Sequence, residues 1–178
     1  WVITSGVLQI IRQAKAGKPT RSFIGMQVAH LGIAVFVIGV TMVGAYQEEK
    51  DVRMSAGDTV TVGGYQIQLQ GVNAARGPNY QAMRGTFLLS KDGGSQTSLY
   101  PEKRSYFSST MPMTEAAIDV GLTRDIYVSL GEELEDRAWA VRVYYKPFVD
   151  WIWGGCLLMA LGGILSISDK RYRIKLKR

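Results

Sequence analysis

FIGMQVAHLGIAVFVIGVTMVGAY, from Phe23 to Tyr46, is a run of 24 residues without Asp, Glu, Lys or Arg. At about 1.5 Å per residue, a helix of this length crosses a bilayer core of roughly 30 Å with some tilt. A second run, from Phe148 to Ile167, is interrupted only by Asp150 near its start. The sequence therefore predicts two transmembrane helices, at 23–46 and 147–167.

Basic residues are concentrated just outside these two runs. The chain carries a net charge of +6, and the flanking basic residues are opposed only by Asp169. They are Arg12, Lys15, Lys18, Arg21, Lys170, Arg171, Arg173, Lys175, Lys177 and Arg178. Because Lys and Arg favour the cytoplasmic side of membrane segments, we expect a cytoplasmic loop at 12–22 and a basic cytoplasmic tail at 168–178. The same distribution argues against nucleic-acid binding, since it forms no separate basic face.

The segment between the runs, 47–146, shows the alternation of β-strands. Tyr65-Gln66-Ile67-Gln68-Leu69-Gln70 places apolar side chains on one face and polar ones on the other. Gly63-Gly64 is typical of a tight turn, and Lys91-Asp92-Gly93-Gly94 predicts a hairpin. The strand candidates are 59–62, 65–72, 82–90, 96–100, 116–120, 125–130 and 138–145. We therefore predict a membrane α-helical protein with an extracytoplasmic all-β domain, a small barrel or sandwich, inserted between two transmembrane helices.

The first residues and the single cysteine set further limits. Trp1 to Ile11 is apolar and too short to span a membrane alone, so we expect 1–11 to be the end of an upstream transmembrane helix in a longer protein. A short interfacial helix is the alternative. Cys156 is the only cysteine, so the chain has no CxxCH site for covalent haem attachment and is not itself a c-type cytochrome.

His30 is the only histidine, and it lies roughly 10 Å along the first predicted helix, counted from Phe23. Ionisable groups inside a bilayer are costly and usually have a partner, a water-filled cavity or a metal. Neutral imidazole is a common metal ligand and a frequent axial ligand of haem iron. From the residues alone two interpretations stay open. His30 either binds a cofactor or relays protons, or it is a neutral histidine hydrogen-bonded across a helix interface, for example to Gln27.

Small residues near His30 would allow another helix to approach closely, and would equally leave room for a flat macrocycle beside the imidazole. They are Gly25, Ala29, Gly32 and Ala34. The polar run from Tyr100 to Tyr106 predicts a surface turn in which Arg104 could bind a carboxylate or a propionate. The acidic stretch from Glu132 to Asp136 is interpreted as a solvated turn rather than a metal site. No catalytic residue is predicted, because the one histidine lies in a membrane run and no Ser-His-Asp set or HExxH motif is available.

Several stretches, in this order, resemble the C-terminal quarter of the cytochrome c maturation protein F family (CcmF, cytochrome c haem lyase). They are Met26-Gln27-Val28-Ala29-His30-Leu31-Gly32, Tyr100-Pro101-Glu102-Lys103-Arg104, Met113-Thr114-Glu115-Ala116-Ala117-Ile118-Asp119 and Lys146-Pro147-Phe148-Val149-Asp150-Trp151-Ile152-Trp153, followed by the Gly162-Gly163 helix. The resemblance covers nearly the whole chain.

The resemblance implies a multi-pass protein of the bacterial inner (cytoplasmic) membrane that joins haem to apocytochrome c through thioethers to CxxCH. The His30 position looks like one of two axial ligands of a transmembrane haem b. The second ligand and the external haem-handling motif would belong to the upstream part of the same protein, so this chain alone would not be catalytic. Residues 47–146 would be periplasmic and serve assembly. Expected partners are a haem chaperone, apocytochrome c and its thiol-reducing accessory subunits.

Two other functions compete with a lyase. A respiratory haem b subunit that transfers electrons would also use an intramembrane histidine, and upstream sequence separates it from a lyase. A haem-free membrane receptor or assembly scaffold would use His30 only for packing. An absorption spectrum of the intact protein separates this third function from the other two.

Overall fold

The computed structural model describes residues 2–17, 19–91 and 93–170, and the chain divides into two units. One unit contains the helices before residue 46 and after residue 147, and the other is Tyr46–Pro147. Residues 171–178 of the predicted basic tail lie outside the described residues.

The helical unit contains α1 (Val2–Ala16), α2 (Arg21–Tyr46) and α3 (Val149–Ile167). α2 and α3 have the length and apolar composition needed to cross a membrane, as the two runs predicted. α1 continues past Ile11 into the segment predicted to be a loop. Its last residues are good helix formers, and the helix ends where Gly17 takes a φ of 131°, which favours glycine.

α2 and α3 pack with their backbones in contact along a line of glycines. Gly25, Gly32 and Gly39 are the buried residues of α2, and Gly155 and Gly162 are those of α3. A Cβ on Gly32 would lie 2.7 Å from the Gly155 carbonyl oxygen, and one on Gly162 would lie 2.5 Å from the Gly25 carbonyl oxygen. The two helices therefore run antiparallel, and we call these five residues the glycine seam. Close approach through small residues is how helices associate where the hydrophobic effect is weak.

The N-terminus of α2 is capped from two directions. The Thr20 hydroxyl accepts a hydrogen bond from the Phe23 N–H at 3.2 Å, and Asp169, just after α3, accepts one from the Ser22 N–H at 2.9 Å. Asp169 is only 6% exposed. Because an anion at a helix N-terminus satisfies unpaired N–H groups and the helix dipole, this carboxylate fixes the start of α2 to the end of α3.

The second unit consists of two antiparallel sheets. Its strands are β1 (Glu48–Met54), β2 (Thr59–Val62), β3 (Tyr65–Arg76), β4 (Tyr80–Lys91), β5 (Thr97–Leu99), β6 (Glu102–Tyr106), β7 (Met113–Glu115), β8 (Ala117–Asp119), β9 (Arg124–Glu133) and β10 (Trp139–Pro147), with a short 3₁₀ turn at Glu135–Arg137. One sheet has the order β1-β10-β9-β8 and the other β2-β3-β4-β6-β7, with β5 paired to β4. The predicted all-β domain is therefore confirmed as a sandwich.

The sandwich core is formed by the inward residues of both sheets. Ile67 and Leu69 are almost fully buried while the glutamines between and beside them face outward, as the alternation predicted. The β2–β3 turn has positive φ at both Gly63 and Gly64, as a type I′ hairpin requires. The core cluster is Met54, Val62, Ile67, Leu69, Phe87, Leu89, Leu99, Ile126, Val128, Leu130, Trp139, Val141 and Val143. Since β1 pairs with β10 and Glu48 lies opposite Tyr145, the chain enters and leaves the sandwich at the same end.

The prediction of a polar surface turn at 100–106 is wrong, because most of this segment is strand β6, paired with both β4 and β7. Its alternation is hidden because charged residues point in both directions. Lys103 bridges to Glu132 of the other sheet at 3.3 Å, whereas Glu102 and Arg104 bond to each other. A strand whose charges are all paired has no apolar pattern to reveal it.

Candidate functional site

His30 lies on the face of α2 opposite the glycine seam. It follows Gly25 by five residues and precedes Gly32 by two, which at 3.6 residues per turn places it about 140–160° around the helix from the seam. Its side chain is exposed within the described part of the chain. The small residues Gly25 and Gly32 therefore make room for α3, and they do not make room for a group beside the imidazole.

The His30 ring is held in one tautomer by the backbone of its own helix. Its Nδ1 lies 2.8 Å from the Met26 carbonyl oxygen, and since a carbonyl can only accept, Nδ1 carries the proton. The neutral ring then has its lone pair on Nε2, which has no hydrogen-bond partner among the residues that the structure describes. This is the arrangement of a metal-binding histidine, whose second nitrogen is oriented by a bond to a carbonyl or carboxylate.

An open cleft of about 450 Å³ runs between α1 and α2, and His30 lies on its wall. The sequence suggested Gln27 as a hydrogen-bond partner for His30. In the structure Gln27 instead donates to Gln9 of α1 at 2.9 Å. A Cβ on Gly6 would lie 3.0 Å from the Gln27 side-chain oxygen, so the two helices are close at this level. Gln9 was missed by the sequence reasoning, although it is the only amide side chain between residues 1 and 11.

The cleft is lined almost entirely by apolar groups. Only Gln13, Gln27 and His30 contribute polar side chains, and the other lining residues are Gly6, Val7, Ile10, Pro19, Phe23, Ile24, Val28 and Leu31. Its volume lies in the range of small-molecule and cofactor sites, which are usually apolar with a few polar groups that fix orientation. An apolar cleft with one imidazole on its wall fits a flat, largely apolar ligand with a metal at its centre.

Arg104, predicted to bind a carboxylate, already holds one from its own strand. Its Nε donates to Glu102 at 2.7 Å, its Nη1 lies 3.5 Å from Glu115, and its guanidinium covers the Tyr80 ring at 4.6 Å. Arg84 donates to the other oxygen of Glu102 at 2.6 Å. These hydrogen bonds, the one from Arg104 above all, hold the pKa of the Glu102 carboxyl below its ordinary value. The cluster is therefore an ion-pair network within the sandwich.

The acidic stretch does not converge on a metal site. Glu132 and Glu133 end β9, and Glu135 and Asp136 lie in the following 3₁₀ turn. Over residues 2–17, 19–91 and 93–170, the structure brings together no group of three or more His, Cys, Asp or Glu that could hold a metal ion. His30, rather than the acidic stretch, is therefore the candidate ligand for a cofactor.

Comparison with known proteins decides the family. The family model described as CcmF C-terminal beta-sandwich matches residues 45–147, which are the second unit almost to the residue. The chain belongs to the CcmF family. It is 49% identical, over 99% of its length, to the cytochrome c-type biogenesis protein CcmF of Pseudomonas aeruginosa, and 47% identical over 97% to that of Escherichia coli. The family resemblance of the sequence motifs is thereby confirmed.

The chain spans about a quarter of the length of the relatives that it matches. It covers 28% of the Pseudomonas protein and 27% of the Escherichia protein. A solved structure titled Cytochrome c Heme Lyase CcmF superposes with a TM-score of 0.70 at 20% identity, over 83% of this chain and 25% of that one. At this identity the match shows a shared fold. The two Pseudomonas and Escherichia matches extend beyond the sandwich and cover nearly the whole chain.

Proposed function

We propose that this chain is the C-terminal part of a membrane haem lyase for c-type cytochrome biogenesis, in which His30 is one axial ligand of a haem b. The observation that carries the proposal is the His30 imidazole on the wall of an apolar cleft, with Nδ1 bonded to the Met26 carbonyl and no partner for Nε2 in the described part of the chain. The names of the relatives supply the activity, cytochrome c-type biogenesis, and that of the solved structure supplies haem lyase.

The residues present fit a haem b. The donor is a neutral imidazole nitrogen, which suits iron, and the apolar cleft suits the macrocycle. Met26 would hold the ring in orientation, since a hydrogen bond to the non-ligating nitrogen fixes the tautomer and raises ligand basicity. When bound by two imidazoles, a haem b supplies one-electron transfer. The second ligand and the thioether chemistry belong in this proposal to the upstream part of the protein.

The proposed placement follows from charge and chain order. α2 and α3 cross the bacterial inner membrane, the flanking basic residues lie in the cytoplasm, and the sandwich lies in the periplasm. There it would meet the haem chaperone, apocytochrome c and the accessory subunits that reduce the apocytochrome thiols. In this proposal the sandwich serves assembly, and its Arg84 and Arg104 are both bound to Glu102.

The experiment is an absorption spectrum of the full-length protein in detergent, with His30→Gly as the variant. We expect a b-type spectrum in the parent, loss of most of that absorbance in the variant, and recovery on adding imidazole, which can enter the space left by the side chain. Thr41→Val, three turns along α2, is the matched control and should leave the spectrum unchanged. An unaltered spectrum in His30→Gly would refute the ligand role, and a colourless parent would favour a haem-free scaffold.

A further inference from the structure

The loop between β8 and β9, at 120–123, carries large apolar side chains at the end of the sandwich where the chain leaves for α3. Val120 is 65% exposed and Leu122 is 78% exposed, and Ile118, two residues earlier on β8, is 43% exposed. Ile118 lies on strand β8, whereas Leu122 lies in the tight turn that follows this strand. The loop sequence Val-Gly-Leu-Thr has no charged residue.

Both backbone groups of Gly121, in the middle of the loop, are hydrogen-bonded. The Gly121 N–H donates to the buried carboxylate of Asp125 at 3.1 Å, and the Arg124 N–H donates to the Gly121 carbonyl at 3.2 Å. Arg124 pairs with Asp119 at 2.6 Å and also donates to the Asp119 carbonyl at 2.9 Å. Because its neighbouring charges are paired and these backbone groups are bonded, the loop would lose little on leaving water.

Strand register places this loop beside the exit to α3. Arg124, which follows the loop, lies opposite Pro147, and α3 begins at Val149. β8 is separated from β10 by one strand, so the loop lies about 10 Å to the side of Pro147. Nearby, Lys146 lies 5.0 Å from the Tyr144 ring and 5.1 Å from the Tyr127 ring. Tyrosines are enriched where a protein meets the headgroup layer.

We propose that the 120–123 loop inserts into the lipid interface and is a third membrane contact of the sandwich, besides its two chain connections. In this proposal the exposed apolar side chains of the loop are covered by lipid. The proposal rests on the proposed membrane placement of α2 and α3, and it is independent of whether His30 binds haem.

The test uses full-length protein reconstituted in vesicles of phosphatidylcholine and phosphatidylglycerol. In a cysteine-free background that includes Cys156→Ser, Leu122→Cys is labelled with the fluorophore NBD, and doxyl-labelled lipids serve as quenchers. Met111→Cys is the matched control, because Met111 is 74% exposed on the loop at the opposite end of the sandwich. Val37→Cys, on α2, reports whether the helix itself lies in lipid.

We expect shallow doxyl quenchers to lower the emission at position 122 about twofold, as for side chains buried 5–10 Å into the interface, and to leave position 111 unchanged. Emission at 122 that is shifted to the blue but not quenched would overturn the proposal, since it would show that protein covers the loop. Equal behaviour of positions 122 and 111 would overturn it as well. Quenching at position 37 without quenching at position 122 would refute insertion of the loop but not the membrane placement of α2. Quenching at neither position would refute both.

Discussion

Replacing Glu102 removes the anion at the centre of the largest ion-pair network in the described part of the sandwich. Its side chain is 5% exposed and accepts from Arg84 at 2.6 Å and from Arg104 at 2.7 Å. A hydrogen bond to a charged group contributes about 1.5–3 kcal/mol when buried. Because the arginine side chains are 49% and 27% exposed, water can solvate them after the change, which favours the lower end for each bond. We expect Glu102→Ala to lower the free energy of unfolding by about 3 kcal/mol.

The assay is urea unfolding of the fragment 46–147, which contains the whole sandwich core and whose ends are brought together by β1 and β10. Glu132→Ala is the matched control, since this residue also pairs across strands, with Lys103, but is 79% exposed. Glu132→Ala should lower the free energy of unfolding by less than about 1 kcal/mol, because exposed ion pairs contribute little to stability. An equal loss in both variants would refute the reasoning that burial gives the Glu102 network its strength.

The pH dependence of the same measurement has a definite sign. The pKa of Glu102 is lowered from its ordinary value of 4.5 by the bonds from Arg104 and Arg84. The folded state therefore holds the charged form more tightly than the unfolded state does, and the contribution is present above pH 4.5 and is lost as the pH falls through the lowered value. We expect the difference between parent and Glu102→Ala to be largest at neutral pH and to shrink below pH 4.5. A constant difference would contradict the cause assigned here.

Two further changes test packing. Gly32→Leu should prevent α2 and α3 from pairing, because its Cβ would lie 2.7 Å from the Gly155 backbone. Gly44→Leu is the control, because a Cβ at Gly44 has no atom within 4 Å. The yield of folded protein in detergent should fall only for Gly32→Leu, and equal yields would contradict the glycine seam. Phe87→Ala, at a fully buried site, should cost the fragment 46–147 about 3–5 kcal/mol in urea unfolding, and a loss below about 1 kcal/mol would mean that the core collapses around the cavity.

The parts of the fold that follow a simple period were predictable from the sequence. The two long helices followed from uncharged length, and β3 and its turn followed from the Gln-Ile-Gln-Leu-Gln alternation and the Gly63-Gly64 pair. Strand β6 was not predictable from the sequence, because Glu102, Lys103 and Arg104 find their partners on neighbouring strands and in the other sheet. Their charges report pairing in three dimensions, which a local pattern does not contain.

The candidate site shows the same division. That His30 is chemically special could be predicted from its position in an uncharged run. The surroundings of His30 could not be predicted, because the role of the nearby glycines depends on which side of α2 meets α3. The small residues were predicted either to let another helix approach or to leave space beside the imidazole, and Gly25 and Gly32 do the first. Likewise, the partner of Gln27 is Gln9, on a helix whose length exceeded the prediction.

The glycine seam has a consequence for how far His30 can travel. Its members recur every seven residues, so a sliding motion of α2 along α3 takes the glycines of one helix out of register with those of the other until about 10 Å has been travelled. A displacement of that size would also break the Asp169 hydrogen bond to Ser22. The glycine seam and the Asp169 hydrogen bond therefore fix the position of the His30 ring along α3.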